Sequence, residues 1–249
     1  MSSIEHTALV TGGMGGLGQA IARALHDAGH RVLVTHSPSN DRVESWLAAQ
    51  EQAGYRFAHY DVDVADDDSC QHMAEQIRAD GHTVNILVNN AGITRDSTLR
   101  KLSKPNWDVV LRTNLDSVFN VTRHFVDGMI ERRWGRVVNI ASVNGSKGQF
   151  GQCNYAASKA GIHGFTKSLA LEVARKGVTV NTVSPGYLET RMVAAISKEV
   201  LESQILPQIP VGRLGQPAEI AALVAFICSD AAAFMTGSNV AMNGGQHMC

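Results

Sequence analysis

"TALVTGGMGGLGQAIARALHDAGH", Thr7 to His30, is the stretch that decides the fold. Its first part, "TALVTG" (7–12), is short, apolar and β-branched, as a strand would be. Its second part repeats apolar residues at intervals of three and four and closes on glycine, as a helix does. Between them stand Gly12, Gly16 and Gly18. Glycine there allows a tight turn and close backbone approach, so the helix N-terminus can receive a pyrophosphate. A glycine-rich turn also serves plain loops, so the remaining chain has to supply the context.

It does so by alternation. Strand-like runs recur at 31–36, 55–61, 84–92, 135–142, 178–186 and 239–245, separated by stretches of helical periodicity. The longest of these helical stretches are 104–133 and 153–176. Strands alternating with helices imply parallel pairing and right-handed crossovers. The expected fold is α/β: one Rossmann-type, doubly wound parallel sheet of about seven strands with helices on both faces. No linker or repeat interrupts it, so a single domain over 1–249 is expected, with 187–215 as a lid segment over the sheet's edge.

Composition excludes several classes. With 249 residues, 44% hydrophobic and 18% charged, the chain reads as an ordinary globule with a large core. A net charge of −1 gives no global attraction to nucleic acid or an anionic membrane. Cys70, Cys153, Cys228 and Cys249 show no metal-ligand spacing, which leaves reduced thiols in a cytoplasmic protein and no metal. The start carries no secretory pattern, and no apolar run is long enough to cross a bilayer.

The cofactor wall follows by position. Gly12, Gly13, Met14, Gly15, Gly16, Leu17 and Gly18 form the turn. At the end of the second strand a carboxylate would hold the ribose 2′-hydroxyl of NAD. Thr35, His36 and Ser37 stand there instead, with Arg42 beyond, a set that suits the 2′-phosphate of NADP(H). The competing reading of Arg42 is a solvated residue at a helix start capped by Asp41. Asp63 and Val64 end the third strand and could flank the adenine, with Asp66 as a helix cap. Asn90, Ala91 and Gly92 end the fourth, and Pro185, Gly186 and Leu188 follow the sixth, beside the expected nicotinamide.

Carbonyl reduction by hydride needs a group that polarises the oxygen and delivers a proton. Tyrosine, with an ordinary pKa of about 10, exchanges poorly near neutrality, and an adjacent ammonium favours its phenolate. Tyr155 and Lys159 lie four apart in "NYAASKAG", hence on one helix face. Ser142 ends the fifth strand. Asn114 sits among apolar neighbours inside a helix, where it needs a partner. Singly, these two read equally well as a cap and a satisfied structural amide.

Taken in order, TGGMGGLG, NNAG, Asn114, Ser142, YAASK and SPG make the whole chain resemble the short-chain dehydrogenase/reductase family. The resemblance implies that Ser142 orients the carbonyl and Tyr155 donates the proton. It gives Lys159 the tuning of Tyr155 and the ribose, and Asn114 a water that relays protons. Within the family, "NNAGITRD", "WGRVVNIASVNGSKGQFGQCNYAASKAG" and "NGGQHM" resemble the acetoacetyl-CoA reductases of polyhydroxybutyrate synthesis. That similarity implies NADPH-dependent reduction of acetoacetyl-CoA to (R)-3-hydroxybutyryl-CoA. It places Asp96, Gln149, Phe150, Gly151, Gln152, Gly186 and Tyr187 about the substrate, beside Ser142 and Tyr155.

Arg95, Arg100, Lys101, Lys147, Arg191 and Lys198 are basic candidates for the CoA phosphates, though exposed Lys and Arg are usually only solvated. Arg191, Ser197 and Lys198 depart from the subgroup's expected pattern. Two other functions stay open: 3-oxoacyl-[acyl-carrier-protein] reduction, and a catalytically silent NADP(H) sensor. A homotetramer is implied by the resemblance, and the apolar surface of the two long helices is in keeping with it.

Overall fold

The computed structural model describes residues 6–190 and 197–248. Seven strands are present: β1 (Thr7–Val10), β2 (Arg31–His36), β3 (Ala58–Asp61), β4 (Val84–Asn89), β5 (Gly135–Ile140), β6 (Val178–Pro185) and β7 (Asn239–Met242). They form one sheet in the order β3-β2-β1-β4-β5-β6-β7, every pair parallel. The expected doubly wound sheet is therefore observed. The chain leaves β1 toward β3, then returns to β4 on β1's other side. That reversal opens a crevice at the carboxyl ends of β1 and β4, where such sheets take ligands.

Strand alternation sends side chains to opposite faces, and each face is covered. Ala8, Val10, Val34 and Val88 pack on α1 (Gly16–Asp27), through Ile21 and Leu25, and on a C-terminal helix, Pro217–Cys228, through Ile220 and Val224. Leu9, Leu33, Leu87 and Val137 pack on the other side against α3 (Asp67–Ala79), through Met73 and Ile77. Strands buried on both faces explain why these runs lack a polar alternation.

Several of the observed elements are shorter than the sequence suggests, though β2 keeps its expected bounds. The 55–61 run begins its ladder only at Ala58, because Tyr55 and Phe57 stack on one another beside α1 and α2 (Val43–Gln52). The single long helix expected over 104–133 is broken. It comprises α4 (Lys104–Leu111), a wide turn over Arg112–Asp116, α5 (Ser117–Thr122) and α6 (Val126–Arg132). The wide turn is of the π type, a geometry that recurs at functional sites, and it carries Asn114. Asp66 does cap α3, accepting from the Asp68 N–H at 3.1 Å. Asp41 does not cap α2: Asn40 Oδ1 accepts the Arg42 N–H at 3.1 Å instead.

The glycine turn is held by backbone. Gly12 has φ +61°, and its N–H donates to the buried Thr35 hydroxyl at 3.2 Å. A Cβ on Gly18 would lie 2.3 Å from the Gly12 carbonyl oxygen, whereas one on Gly16 would meet only the Thr190 side chain, at 3.7 Å. Gly18→Ala is thus expected to destabilise the fold by about 1–3 kcal/mol, as overpacking against backbone does. Gly16→Ala should leave the denaturation midpoint near wild type. Equal midpoints for the two variants would contradict this geometry.

Candidate active site

A cavity of about 610 Å³ opens at the carboxyl ends of β1, β4, β5 and β6. That is within the usual range for a small-molecule site. Its wall collects most of the residues singled out from the sequence. From the turn come Gly12, Gly15, Gly16, Leu17 and Gly18; from the end of β4 come Asn90, Ala91 and Gly92, with Asp96 further on. Ser142, Gln152, Tyr155, Lys159, Pro185, Gly186, Tyr187 and Leu188 complete it.

The turn is built for an anion. No side chain caps the N-terminus of α1, and its first turn contains no acid. The leading N–H groups of the helix therefore keep unspent donors, with a positive dipole end behind them. With Gly16 open toward the cavity, the residues present fit a dinucleotide pyrophosphate.

Ser142 and Tyr155 are carried by α7 (Val143–Lys147) and α8 (Cys153–Val173). Ser142 both lines the cavity and caps α7, its Oγ accepting the Asn144 N–H at 3.2 Å. The two packed helices touch at Gly145, where a Cβ would be 2.9 Å from the Lys159 backbone. Lys159 is buried beneath Tyr155. Its Nζ lies 5.7 Å from the phenol ring centroid and donates to the Ile140 carbonyl at 2.8 Å. Burial lowers its pKa to about 8.

At Tyr155 the balance differs from the sequence expectation. Burial pushes its pKa above the ordinary value, the Ser142 hydroxyl pulls the other way, and Asp96 adds to the rise. The resting site therefore favours the protonated phenol over the phenolate. Such a tyrosine has a proton to give.

Asn114 is fully buried and outside the cavity wall. Its Oδ1 accepts the Ile93 N–H at 2.8 Å, while Nδ2 donates to the Ile93 carbonyl at 2.9 Å and to Ser158 Oγ at 3.2 Å. The side-chain amide is thus committed to anchoring the loop that follows β4. Gly92 makes room for this: a Cβ there would lie 3.2 Å from Asn114 Oδ1 and 3.5 Å from Lys159 Nζ.

Several expected positions lie off the wall. Gly13 turns toward Val34, and Met14 is buried, its sulfur accepting from Asn40 Nδ2 at 3.5 Å. His36 faces β3 rather than the turn: its Nε2 lies 3.2 Å from His59 Nδ1 and its Nδ1 lies 3.0 Å from the Ser37 carbonyl. Ser37 hydrogen-bonds Ser39 Oγ at 2.9 Å, and Arg42 is exposed immediately before α2. Asp63 closes its own turn on the Ala65 N–H, and Val64 is buried.

On the substrate side, Gln149 accepts from Lys147 at 3.3 Å, Phe150 is 87% exposed, and the Gly151 carbonyl accepts the Ser97 N–H. None of the three lines the cavity. Among the basic candidates, Arg95 is turned to the Thr94 carbonyl and Lys198 pairs with Glu202. Arg191 lies outside the described residues.

The wall also contains residues that the sequence did not flag: Ile93, Thr94, Ile140, Ala141, Val143, Asn144 and Thr190. Of these, only Asn144 gave a signal, as an amide two positions after Ser142 in "ASVNG". Of the cysteines, Cys70 and Cys228 are buried, their thiols pushed up to about 12, and Cys153 is exposed; all three are free. Among the described residues, no helix is long and apolar enough to cross a membrane.

Residues 6–201 match the family model described as short chain dehydrogenase. An acetoacetyl-CoA reductase of Cupriavidus necator is 51% identical over 98% of this chain and 99% of its own length. Nodulation protein G of Azospirillum brasilense is 50% identical over 97% of this chain and 98% of its own. An acetoacetyl-CoA reductase of Allochromatium vinosum is 49% identical, again over 97% and 98%.

Proposed function

The chain belongs to the short chain dehydrogenase family, and on that premise we propose that it reduces acetoacetyl-CoA to (R)-3-hydroxybutyryl-CoA with NADPH, in polyhydroxybutyrate formation. The observation that carries the chemistry is the placement of the half-buried Tyr155 in one cavity with Ser142 and above Lys159, its phenol pushed above the ordinary pKa by desolvation. The names of two relatives support the substrate.

When bound, reduced nicotinamide supplies the hydride. The uncapped start of α1 would hold the cofactor's pyrophosphate, and Lys159 would hold its ribose. Ser142 Oγ and Tyr155 Oη both address the ketone oxygen, and Tyr155 Oη passes its proton to that oxygen as negative charge develops there. The buried Lys159 ammonium then stabilises the phenolate left behind. Asn114 acts through the loop at Ile93, keeping the cavity floor in place.

For the 2′-phosphate, Ser37, Ser39 and Arg42 are the available donors, since both nitrogens of His36 are engaged. Bidentate guanidinium contact to phosphate is strong and directional. Arg42→Ala is expected to raise the KM for NADPH roughly tenfold and leave that for NADH unchanged, a loss typical of one charge-assisted contact. The exposed apolar residues Val109, Phe119 and Leu171 on the α4–α5 and α8 faces fit burial between subunits of a homotetramer, in a cytoplasmic enzyme.

The deciding experiment follows NADPH absorbance with acetoacetyl-CoA, with acetoacetyl-acyl carrier protein, and with NADH in place of NADPH. Faster turnover of the CoA thioester with NADPH is expected. A preference for the carrier-bound substrate would transfer the protein to fatty acid synthesis. Binding of NADPH with no oxidation by either thioester would make it a sensor.

A further inference from the structure

Three residues that line the cavity from three different elements are joined by two hydrogen bonds. Gln152 Nε2 donates to Asp96 Oδ2 at 2.8 Å, and Asn144 Nδ2 donates to Gln152 Oε1 at 2.9 Å. The direction of this chain follows from its first member. An ionised carboxylate only accepts, so Gln152 must offer its NH₂ group to Asp96 and present its oxygen to Asn144. Asn144 must then offer its own NH₂ group, which leaves Asn144 Oδ1 buried without a donor.

That orphan oxygen is informative. Asn144 is only 7% exposed, and an apolar side chain there would fill space without stranding a polar atom. Gln152 is equally committed. It is the N-cap residue of α8, yet its side chain caps nothing on that helix and serves the chain instead. What the chain joins is the loop after β4 with Asp96, the helix capped by Ser142, and the helix that carries Tyr155 three residues later. We propose that Asn144 is a positioning residue for the ketoacyl substrate: through Gln152 it fixes Asp96 and sets the spacing between the Ser142 and Tyr155 helices at the cavity wall.

The inference rests on the ketoacyl reductase reading above, and its test separates the two. Asn144→Ala, Asn144→Asp, Gln152→Ala and the Asn144→Ala/Gln152→Ala double variant are assayed with acetoacetyl-CoA and with ethyl acetoacetate, which keeps the reacting ketone without CoA. The expected result for Asn144→Ala is a substrate KM raised about tenfold, with kcat within about threefold and the NADPH KM unchanged, as for loss of one buried polar contact. Gln152→Ala should match it, and the double variant should be no worse than either single one, because one chain is broken once. Asn144→Asp is nearly isosteric but cannot donate when ionised, so it should fail as Ala does.

Additive losses, a spared Asp variant, or an equal rise in the NADPH KM would overturn the proposal, since packing alone would produce them. If wild type reduces ethyl acetoacetate but not acetoacetyl-CoA, the substrate reading falls while the cycle still decides Asn144.

Discussion

Tyr155→Phe is expected to lower kcat by roughly 10³-fold, the middle of the range for loss of a positioned proton donor. The ring stays, so its packing and its 5.7 Å relation to Lys159 Nζ stay with it. NADPH affinity should therefore change less than about twofold and the thermal midpoint by a few degrees at most, since only one hydroxyl is removed. Burial and Asp96 both raise the Tyr155 pKa, against the pull of Ser142. At neutral pH the resting enzyme thus holds a complete phenol ready for the reductive direction. Stopped-flow absorbance at 340 nm with preformed enzyme–NADPH complex checks this. A variant that retains even a tenth of the wild-type hydride transfer rate would mean that another group delivers the proton.

What the sequence made legible depended on whether contacts are local. Tyr155 and Lys159 share a face because they are four apart on one helix, and that spacing can be counted. The doubly wound parallel sheet also followed, since alternation with helices leaves few parallel topologies. The contact of His36 with His59 was not legible, because His59 comes from a neighbouring strand whose register the sequence does not show. The break at Asn114 was hidden for a different reason. Apolar spacing continues through 104–133, so nothing local marks a π turn whose Asn114 bonds Ile93, twenty-one residues away. Gln149 and Phe150 entered through resemblance, and the fold turns them toward Lys147 and solvent. Asn144 went unnoticed because its significance lies wholly in bonds to Gln152 and, beyond it, Asp96.

Lys159→Met should cost activity about as much as Tyr155→Phe, on the order of 10³-fold, because a buried charge that stabilises developing phenolate is worth far more than an exposed one. Yet the cofactor-free variant should be at least as stable as wild type at pH 7. Burial depresses the lysine from 10.5 to about 8, so keeping the ammonium in the fold at neutral pH costs roughly 3 kcal/mol. Methionine has similar length and no charge to bury. Against that gain stands the Ile140 carbonyl, which loses its donor at a cost of about 1–3 kcal/mol.

The sign with pH follows. A base with a depressed folded pKa is penalised fully below that value and not at all above its unfolded one. Wild type should therefore gain on the variant as pH rises from 8 toward 10.5. Urea midpoints of the two cofactor-free proteins at pH 7 and pH 10 measure this directly. A variant several kcal/mol weaker than wild type at pH 7 would mean that the lysine is there for the fold. Equal or greater stability with lost turnover means that the ammonium is held in place at the fold's expense, for the reaction at Tyr155.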